Sequence, residues 1–292
     1  MEKSSAPFRM RLLCPAKINL FLFVLGKMES GYHEILSCVD TISLFDEIDV
    51  EEINERENIV SFDSLWEIPQ NNSVSKTLNL ISHITGKRFR VVVRKRIPPG
   101  AGLGGASSDS GVLIKELSKK YAIDERKSRE IAESIGSDVP LFLSERPVLI
   151  YGRGEKVKEI KIERRNEFFY VLVWPEIISE TKKVYDQFDK IHSKDLLDIS
   201  KKRDLVDHIL NLNEISFDFF SGILGKNDLE EPFLSLYKDG EKIKKFLSQF
   251  GNFYLTGSGS TFFSIFFDEK TAKDTAEKLK KYFKFVFVCK PY

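Results

Sequence analysis

The segment PPGAGLGGASSDS, residues 98–110, decides how the rest of the chain is interpreted. It holds four glycines within six positions, and glycine lets a backbone adopt positive φ and approach a ligand closely. The residues that follow have helical periodicity, so the free N–H groups of a helix N-terminus face this turn. Such a combination favours an anion, most often phosphate. A plain strand-to-helix turn is the alternative, but it does not need four glycines.

Two other phosphate-binding loops are weaker explanations of this segment. A Walker-type loop ends in Gly-Lys-Ser/Thr, whereas Ala and Ser follow Gly105 here. The dinucleotide fingerprint GxGxxG is formally matched within residues 100–105, and an acidic residue, Asp124, stands about twenty positions further on. In that fold the acid ends a second strand, but Asp124 opens a stretch with helical periodicity. The dinucleotide interpretation is therefore disfavoured.

Composition restricts the class of protein further. The chain has 292 residues, of which 42% are hydrophobic and 30% charged, so a sizeable core and about two domains are expected. The formal net charge is +1, which disfavours a nucleic-acid partner. Three distant cysteines without a CxxC pair argue against a disulfide framework and a structural zinc site, and indicate a reducing compartment: Cys14, Cys38 and Cys289.

The sequence shows no segment expected to enter a membrane. The most apolar stretch, residues 18–25, is far shorter than the roughly 20 residues of a membrane-spanning helix. Only about ten residues (MEKSSAPFRM) precede the main strand-like run, too few for a secretory signal. We therefore expect a cytoplasmic protein with no membrane partner.

Apolar periodicity and turn residues predict an α+β protein rather than regular βαβ repetition. The charged stretch 159–167 predicts a boundary between two domains, residues 1–160 and 161–292. A helix is expected between Asp124 and Gly136, and residues 180–250 are expected to be mostly helical. The strands and remaining segments are expected as follows: a strand from Arg9, two strands within 35–53, turns over 54–73, a helix ending before Gly86, a strand over 89–97, a strand over 137–143, a strand over 168–174, a hairpin over 251–267, a helix from 271 and a last strand at 284–289.

Three further segments give the glycine-rich turn its context: PAKINLFLFVLGKMESGYHE from Pro15, GSDVPLFL from Gly136 and LTGSGSTFF from Leu255. Together, in this order, they resemble the GHMP small-molecule kinases. PAKINL followed by GYHE is most similar to the branch that acts on a cytidine-diphosphate methylerythritol. Another GHMP kinase with a homoserine or mevalonate type of substrate is the nearest alternative, and a nucleotide-binding protein without catalysis is a second.

The resemblance implies a fold and a reaction. The implied fold is a two-domain GHMP kinase, with an N-terminal α+β domain containing a left-handed βαβ crossover and a C-terminal ferredoxin-like domain. The implied reaction transfers the γ-phosphate of ATP, with Mg²⁺, to the 2-hydroxyl of 4-diphosphocytidyl-2-C-methyl-D-erythritol, in the non-mevalonate route to isoprenoids. The expected partner is this small molecule, and the expected assembly is a monomer or weak homodimer.

The resemblance also assigns site residues. Lys17 and Asp138 are implied as the catalytic pair: Asp138 takes the hydroxyl proton, and Lys17 stabilises the developing charge. His33 is implied to bind the cytosine edge while Tyr185 stacks on the base. The metal ligands and the role of Asp109 are left open. The implied ATP-binding residues are Pro99, Gly100, Ala101, Gly102, Leu103, Gly104, Gly105, Ala106, Ser107 and Ser108. The implied substrate-binding residues are Asn19, Tyr32, His33, Thr181, Tyr185, Gly257, Ser258 and Gly259.

Overall fold

A computed structural model describes residues 8–144, 147–163, 165–192 and 196–292 of the chain. These residues form two compact units, each assembled from separated stretches of sequence. The first unit contains the described residues up to Ala16, Leu44–Pro99 and Gly104–Leu143. The second contains Lys17–Ser43, Gly100–Leu103 and the described residues from Ser144 to Tyr292. The predicted division into residues 1–160 and 161–292 stays a prediction.

The first two strands are long, and each passes along the chain from one unit into the other. They are β1, Arg9–Lys27, and β2, His33–Ile53. The other elements of the first unit are β3 (Ile59–Asp63), α1 (Ser73–Thr85), β4 (Arg88–Arg94), α2 (Gly105–Tyr121), α3 (Glu125–Ile135) and a 3₁₀ turn (Pro140–Leu143). Strand β4 pairs antiparallel with residues 47–53 of β2 and parallel with β3. The inward face of this sheet packs with α1, α2 and α3 in one apolar core.

Local signals explain two of these helices. Asn72 caps α1 by accepting the N–H of Ser75 at 2.9 Å, and the helix ends at Gly86, whose φ is +69°. Asp124 accepts the N–H of Lys127 at 2.8 Å and caps α3. Asp124 therefore starts a helix, as its periodicity predicted, and does not end a strand as the dinucleotide interpretation requires.

Three predicted features of the first 143 residues are wrong. Strand β2 is continuous, not two strands: its internal Asp40 is buried and accepts hydrogen bonds of 2.8 Å from Arg165 and Tyr170, so it does not interrupt the strand. The stretch 54–73 was predicted as turns but contains β3, whose alternating Val60 and Phe62 pack on the core. Residues 140–143 form a 3₁₀ turn because Pro140 lacks a donor and has φ fixed near helical values.

The second unit is organised around β8 (Phe169–Trp174), which lies inside an antiparallel sheet. β8 pairs with β11 (Phe262–Phe266) on one side and with β12 (Phe285–Cys289) on the other, and β10 (Tyr254–Leu255) continues the sheet beyond β11. The predicted hairpin is formed by β10 and β11. The other strands of this unit are β5 (Val148–Gly152), β6 (Lys156–Glu159), β7 (Lys161–Ile162) and β9 (Glu214–Ile215). Its helices are α4 (Thr181–His192), α5 (Leu196–Asn211), α6 (Phe217–Ile223), α7 (Glu230–Leu236), α8 (Lys238–Leu247) and α9 (Glu269–Leu279).

Of residues 180–250, those that the structure describes are mostly helical, as predicted. Strands β5 and β6 extend antiparallel from residues 35–39 of β2. Across the described ranges, none of the helices combines the length and the apolarity that crossing a bilayer requires.

Candidate active site

The glycine-rich segment adopts the backbone conformation that its composition predicted. φ is +69° at Gly100, +79° at Gly102 and +72° at Gly104, values that residues with a Cβ rarely adopt. Gly104 is the N-cap residue of α2, and among the described residues no side chain caps the helix there. The N-terminus of α2 therefore has the properties of an anion-binding site, because its first N–H groups lack a capping acceptor.

Two glycine-rich turns contact each other within the second unit. A Cβ on Gly102 would lie only 2.6 Å from the carbonyl oxygen of Gly259, so the two backbones approach more closely than side chains would allow. Thr261 fixes the approach, because its hydroxyl donates to the carbonyl of Ala101 at 2.8 Å. The sequence predicted both turns as ligand-binding segments but not their contact.

Lys17 lies at the same place in the second unit. Its backbone N–H donates to the carbonyl of Leu103 at 2.9 Å, and the residue is only 6% exposed. The ammonium donates to Asn19 Oδ1 at 2.7 Å. A Cβ on Gly257 would lie 3.1 Å from that same Oδ1 and 3.6 Å from Lys17 Nζ. The structure thus brings together three predicted site residues: Lys17, Asn19 and Gly257.

Asn19 is held by groups that the sequence did not identify. Its backbone N–H donates to the hydroxyl of Thr256 at 2.8 Å, and its side-chain amide donates to Ser37 Oγ at 2.8 Å. Ser37 in turn donates to the carbonyl of Phe21 at 2.5 Å. These buried bonds fix the side chain of Asn19 and with it the oxygen that receives the ammonium of Lys17.

Two other predicted site residues are joined by a hydrogen bond. Thr181, the first residue of α4, and Ser258 have their hydroxyl oxygens 2.9 Å apart. Ser179 also donates to the carbonyl of Ser258, at 2.7 Å. Asp138 belongs to the first unit, where it lies half-buried in the turn between α3 and the 3₁₀ turn.

The residues predicted to recognise a base form an aromatic group in the second unit. His33 stacks on Tyr185 with ring centroids 4.7 Å apart and an interplanar angle of 25°. Tyr32 is 60% exposed, and the guanidinium carbon of Arg153 lies 5.2 Å from the centre of its ring. Sequence reasoning missed Asp189, whose Oδ1 lies 2.6 Å from His33 Nε2. Its position one helical turn after Tyr185 was the available signal.

A buried charge cluster lies at the start of α2 in the first unit. Lys95 donates to Asp109 Oδ2 at 2.7 Å and also to Asp46 Oδ2. Asp46 Oδ1 accepts the backbone N–H groups of Arg96 and Ile97, immediately before the glycine-rich segment. The sequence left Asp109 without a role. The structure shows that it is one of two carboxylates bound to a single buried lysine.

Two carboxylates and one ammonium leave this cluster with an excess negative charge when all three groups are ionised. Burial raises the pKa of Asp109 to about 7, although the nearby ammonium of Lys95 opposes that rise. Burial lowers the pKa of Lys95, but the carboxylates of Asp109 and Asp46 outweigh it and hold that pKa above its ordinary value. The cluster therefore favours keeping a proton on Asp109 near neutral pH.

The start of α2 also offers oxygen atoms to a cation. The hydroxyl of Ser108 is buried and has no hydrogen-bond partner within the described part of the chain. Oxygen ligands suit Mg²⁺, which is usually bound through one or two protein groups together with substrate phosphates. The residues present fit that mode. No cluster of three or more His, Cys, Asp or Glu side chains suited to a metal occurs in the ranges that the structure covers.

The sequence of both parts of the chain matches known family models. Residues 72–146 match the GHMP kinases N terminal domain, and residues 203–284 match the GHMP kinases C terminal domain. A relative from Hydrogenobaculum sp. (strain Y04AAS1) is 34% identical over 255 residues, which cover 86% of this chain and 84% of the relative. The chain belongs to the GHMP kinases, which are ATP-dependent small-molecule kinases. The predicted family and the α+β fold class are confirmed.

The particular relatives are more specific than the family. The Hydrogenobaculum protein is a 4-diphosphocytidyl-2-C-methyl-D-erythritol kinase. The crystal structure of a 4-(cytidine 5'-diphospho)-2C-methyl-D-erythritol kinase matches 97% of this chain and 100% of that one, with a TM-score of 0.75 and 25% identity. The homoserine kinase from Cytophaga hutchinsonii also superposes, with a TM-score of 0.72 over 100% of this chain and 97% of that one. Its identity is only 14%, so that likeness shows the fold alone.

Proposed function

We propose that this kinase phosphorylates the 2-hydroxyl of 4-diphosphocytidyl-2-C-methyl-D-erythritol, using ATP and Mg²⁺. The observation that carries the choice of substrate is the 34% identity, over most of both chains, to a relative named for that activity. The arrangement of Lys17, Asn19 and His33 in one unit supports it, since the motifs PAKINL and GYHE supply all three.

The proposed binding of ATP uses the backbone of residues 99–108. The N-terminus of α2 directs N–H groups toward the phosphates, and the positive φ of Gly100, Gly102 and Gly104 lets the backbone approach them. Mg²⁺ neutralises phosphate charge when it is bound, and Ser107 or Ser108 is the proposed protein ligand. The buried, unpartnered hydroxyl of Ser108 supports this assignment within the part of the chain that is described.

The proposed chemical step needs a proton acceptor and a positive charge. Asp138 accepts the proton of the substrate hydroxyl as general base. Lys17 supplies the positive charge where negative charge develops, and its hydrogen bond to Asn19 directs the ammonium. Positioning and charge stabilisation are the main requirements of phosphoryl transfer, so a buried and oriented lysine supports the proposal.

The proposed recognition of the substrate uses the second unit. His33 binds the cytosine edge, and Tyr32 and Tyr185 supply aromatic faces. Thr181, Gly257, Ser258 and Gly259 are proposed to line the side of the site that holds the diphosphate.

The proposed setting is a cytoplasmic monomer or weak homodimer without a nucleic-acid partner. A net charge of +1 supports the proposal that nucleic acid is not a partner, since nucleic-acid binders usually have a basic excess. Three buried free thiols are consistent with a reducing compartment.

The test is release of ADP in the presence of Mg²⁺ and the cytidyl substrate, against a blank without the alcohol. The phosphorus spectrum of the product should show one new phosphomonoester, with the cytidine diphosphate unchanged. ADP release at the blank rate, with a correctly folded protein that binds ATP, would refute the proposed substrate.

A further inference from the structure

The ring of His33 is held by a carboxylate that lies outside the PAKINL and GYHE motifs. His33 is the first residue of β2, and its side chain is only 8% exposed. Its Nε2 lies 2.6 Å from Asp189 Oδ1. The other oxygen of Asp189 accepts a hydrogen bond of 2.6 Å from the ammonium of Lys27, the last residue of β1. Both oxygens of this carboxylate are therefore engaged.

Helix α4 fixes the plane of the ring as well as its direction. Tyr185 stacks on the ring of His33, and Phe188 contacts it edge-on with centroids 6.1 Å apart and an interplanar angle of 88°. Residues 185, 188 and 189 have the spacing of one helical face. A single face of α4 thus supplies a stacking ring, an edge contact and a hydrogen-bond acceptor to His33.

The carboxylate determines which ring nitrogen carries a proton. Although burial raises the pKa of Asp189, the hydrogen bonds from His33 and Lys27 hold it below its ordinary value, so the group is ionised at neutral pH. An ionised carboxylate only accepts hydrogen bonds, so Nε2 of His33 must carry the hydrogen. In the neutral ring the remaining nitrogen, Nδ1, is then an acceptor.

An acceptor at Nδ1 distinguishes between two pyrimidines. The exocyclic group of cytosine is an amine, which donates a hydrogen bond, whereas uracil has a carbonyl oxygen at the same place, which only accepts one. A ring that carried its proton on Nδ1 would have the opposite preference. The ring nitrogen that carries the proton therefore determines whether His33 prefers cytosine or uracil.

We propose that Asp189 is a positioning residue for base recognition. By keeping the proton on Nε2 of His33, it presents Nδ1 as an acceptor to the amine of cytosine and so selects cytidine over uridine diphosphate substrates. This inference rests on the proposed function, because it requires that His33 face the base of the substrate.

Two substitutions test the role of Asp189. Asp189→Ala removes the acceptor, so the KM for the cytidyl substrate should rise about tenfold, as expected for one lost hydrogen bond, with kcat and the KM for ATP unchanged. Asp189→Asn has only one acceptor oxygen, and the ammonium of Lys27 attracts it. The amide N–H₂ then faces Nε2 and moves the ring proton to Nδ1, so the preference for cytidyl over uridyl substrate should fall further than in Asp189→Ala.

Asp186→Asn is the matched control, because Asp186 is an exposed carboxylate on the same helix, three residues earlier. It should keep the wild-type KM and the wild-type base preference. Circular dichroism and the KM for ATP verify that each variant is folded.

A second measurement does not depend on activity. Long-range ¹H–¹⁵N spectra of the four histidines, with His33 assigned by its absence in His33→Gln, report which ring nitrogen is protonated. The proton should be on Nε2 in the wild type and on Nδ1 in Asp189→Asn.

The outcomes separate the two hypotheses. A wild-type protein that fails to phosphorylate the cytidyl substrate would refute the proposed function, whatever the spectra show. An active wild type in which Asp189→Ala and Asp189→Asn keep both the cytidyl KM and the base preference would overturn the role of Asp189. A wild-type spectrum with a proton on Nδ1, whether or not Nε2 also carries one, would overturn it too.

Discussion

The ammonium of Lys17 donates a 2.7 Å hydrogen bond to the side-chain oxygen of Asn19, and both side chains are buried. The two residues are two positions apart on β1, so they lie on the same face of the strand. Asn19 is itself fixed by Thr256 and Ser37. This relationship positions the charge that the proposed reaction requires.

Replacing Lys17 with methionine keeps the apolar stem and removes the charge. We expect kcat to fall by about 10²-fold or more, because stabilisation of the developing negative charge is lost. Asn19→Ala should lower kcat by a smaller factor, and Asn19→Asp should keep more activity than Asn19→Ala because it retains an acceptor for the ammonium. Steady-state kinetics decide this order. A wild-type kcat in folded Lys17→Met would exclude the proposed role.

Asp138→Asn keeps the size of the side chain but cannot accept the hydroxyl proton. We expect kcat to fall by about 10² or more while both substrates still bind. Asp124→Asn is the control, since asparagine caps a helix as well as aspartate does. In the double variant Lys17→Met, Asp138→Asn, kcat should fall by a smaller factor than the product of the two single decreases. The effects of residues that act together on one step are not additive. Independent multiplication of the two effects would contradict a shared role.

The contact between the two glycine-rich turns can be tested by a pair of alanine substitutions. Gly102 and Gly100 have similar positive φ, so both changes incur about 1–2 kcal/mol of backbone strain. Only at Gly102 would the new Cβ meet backbone at 2.6 Å, since at Gly100 the nearest atom is a side-chain carbon of Ile178 at 3.5 Å. Gly102→Ala should therefore lose at least about 1 kcal/mol more stability than Gly100→Ala in urea unfolding. Equal decreases in the free energy of unfolding would show that the close contact between the two turns does not contribute to stability.

The buried cluster of Asp46, Lys95 and Asp109 makes stability depend on pH. The pKa of Asp109 is about 7 in the folded protein and about 4 when unfolded, so the folded state binds the proton more tightly. The stability that this proton contributes is complete below about pH 4 and is lost as the pH rises through about 7. Asparagine has no proton to lose and still accepts a hydrogen bond from Lys95.

Asp109→Asn should therefore become more stable relative to the wild type as the pH rises from about 5 to 8, measured by denaturant unfolding at each pH. Asp109→Ala is the control for the lost hydrogen bond, and it should be destabilised throughout this range. A difference between Asp109→Asn and the wild type that does not change with pH would contradict the raised pKa.

Local features of the chain were predictable from the sequence, whereas partners that are distant in sequence were not. The turn before α2 and the shared face of Lys17 and Asn19 follow from glycine content, helical periodicity and strand alternation. Asp189 and His33 are 156 residues apart, and Lys95 and Asp46 are 49 apart. Such pairs arise from tertiary packing, which periodicity does not encode.

Short elements were also missed for physical reasons. Strand β3 is five residues long, and its pairing with β4 stabilises it despite the polar residues around it. Residues 140–143 are apolar enough for a strand, but the backbone restriction of Pro140 favours a 3₁₀ turn. The neighbouring strand β4 in the first case and the residue Pro140 in the second had more effect than the pattern of apolar side chains.

A competition for one pool of ATP tests the proposed substrate most directly. The cytidyl methylerythritol substrate, homoserine and mevalonate are mixed at equal, subsaturating concentrations, and the phosphorylated products are counted by mass spectrometry. Their ratio gives the ratio of kcat/KM values. We expect the phosphorylated cytidyl compound to exceed each of the others by more than about 10²-fold, because the polar groups of the base site stay unpaired with the smaller alcohols. A mixture dominated by phosphohomoserine or phosphomevalonate would contradict the proposed function.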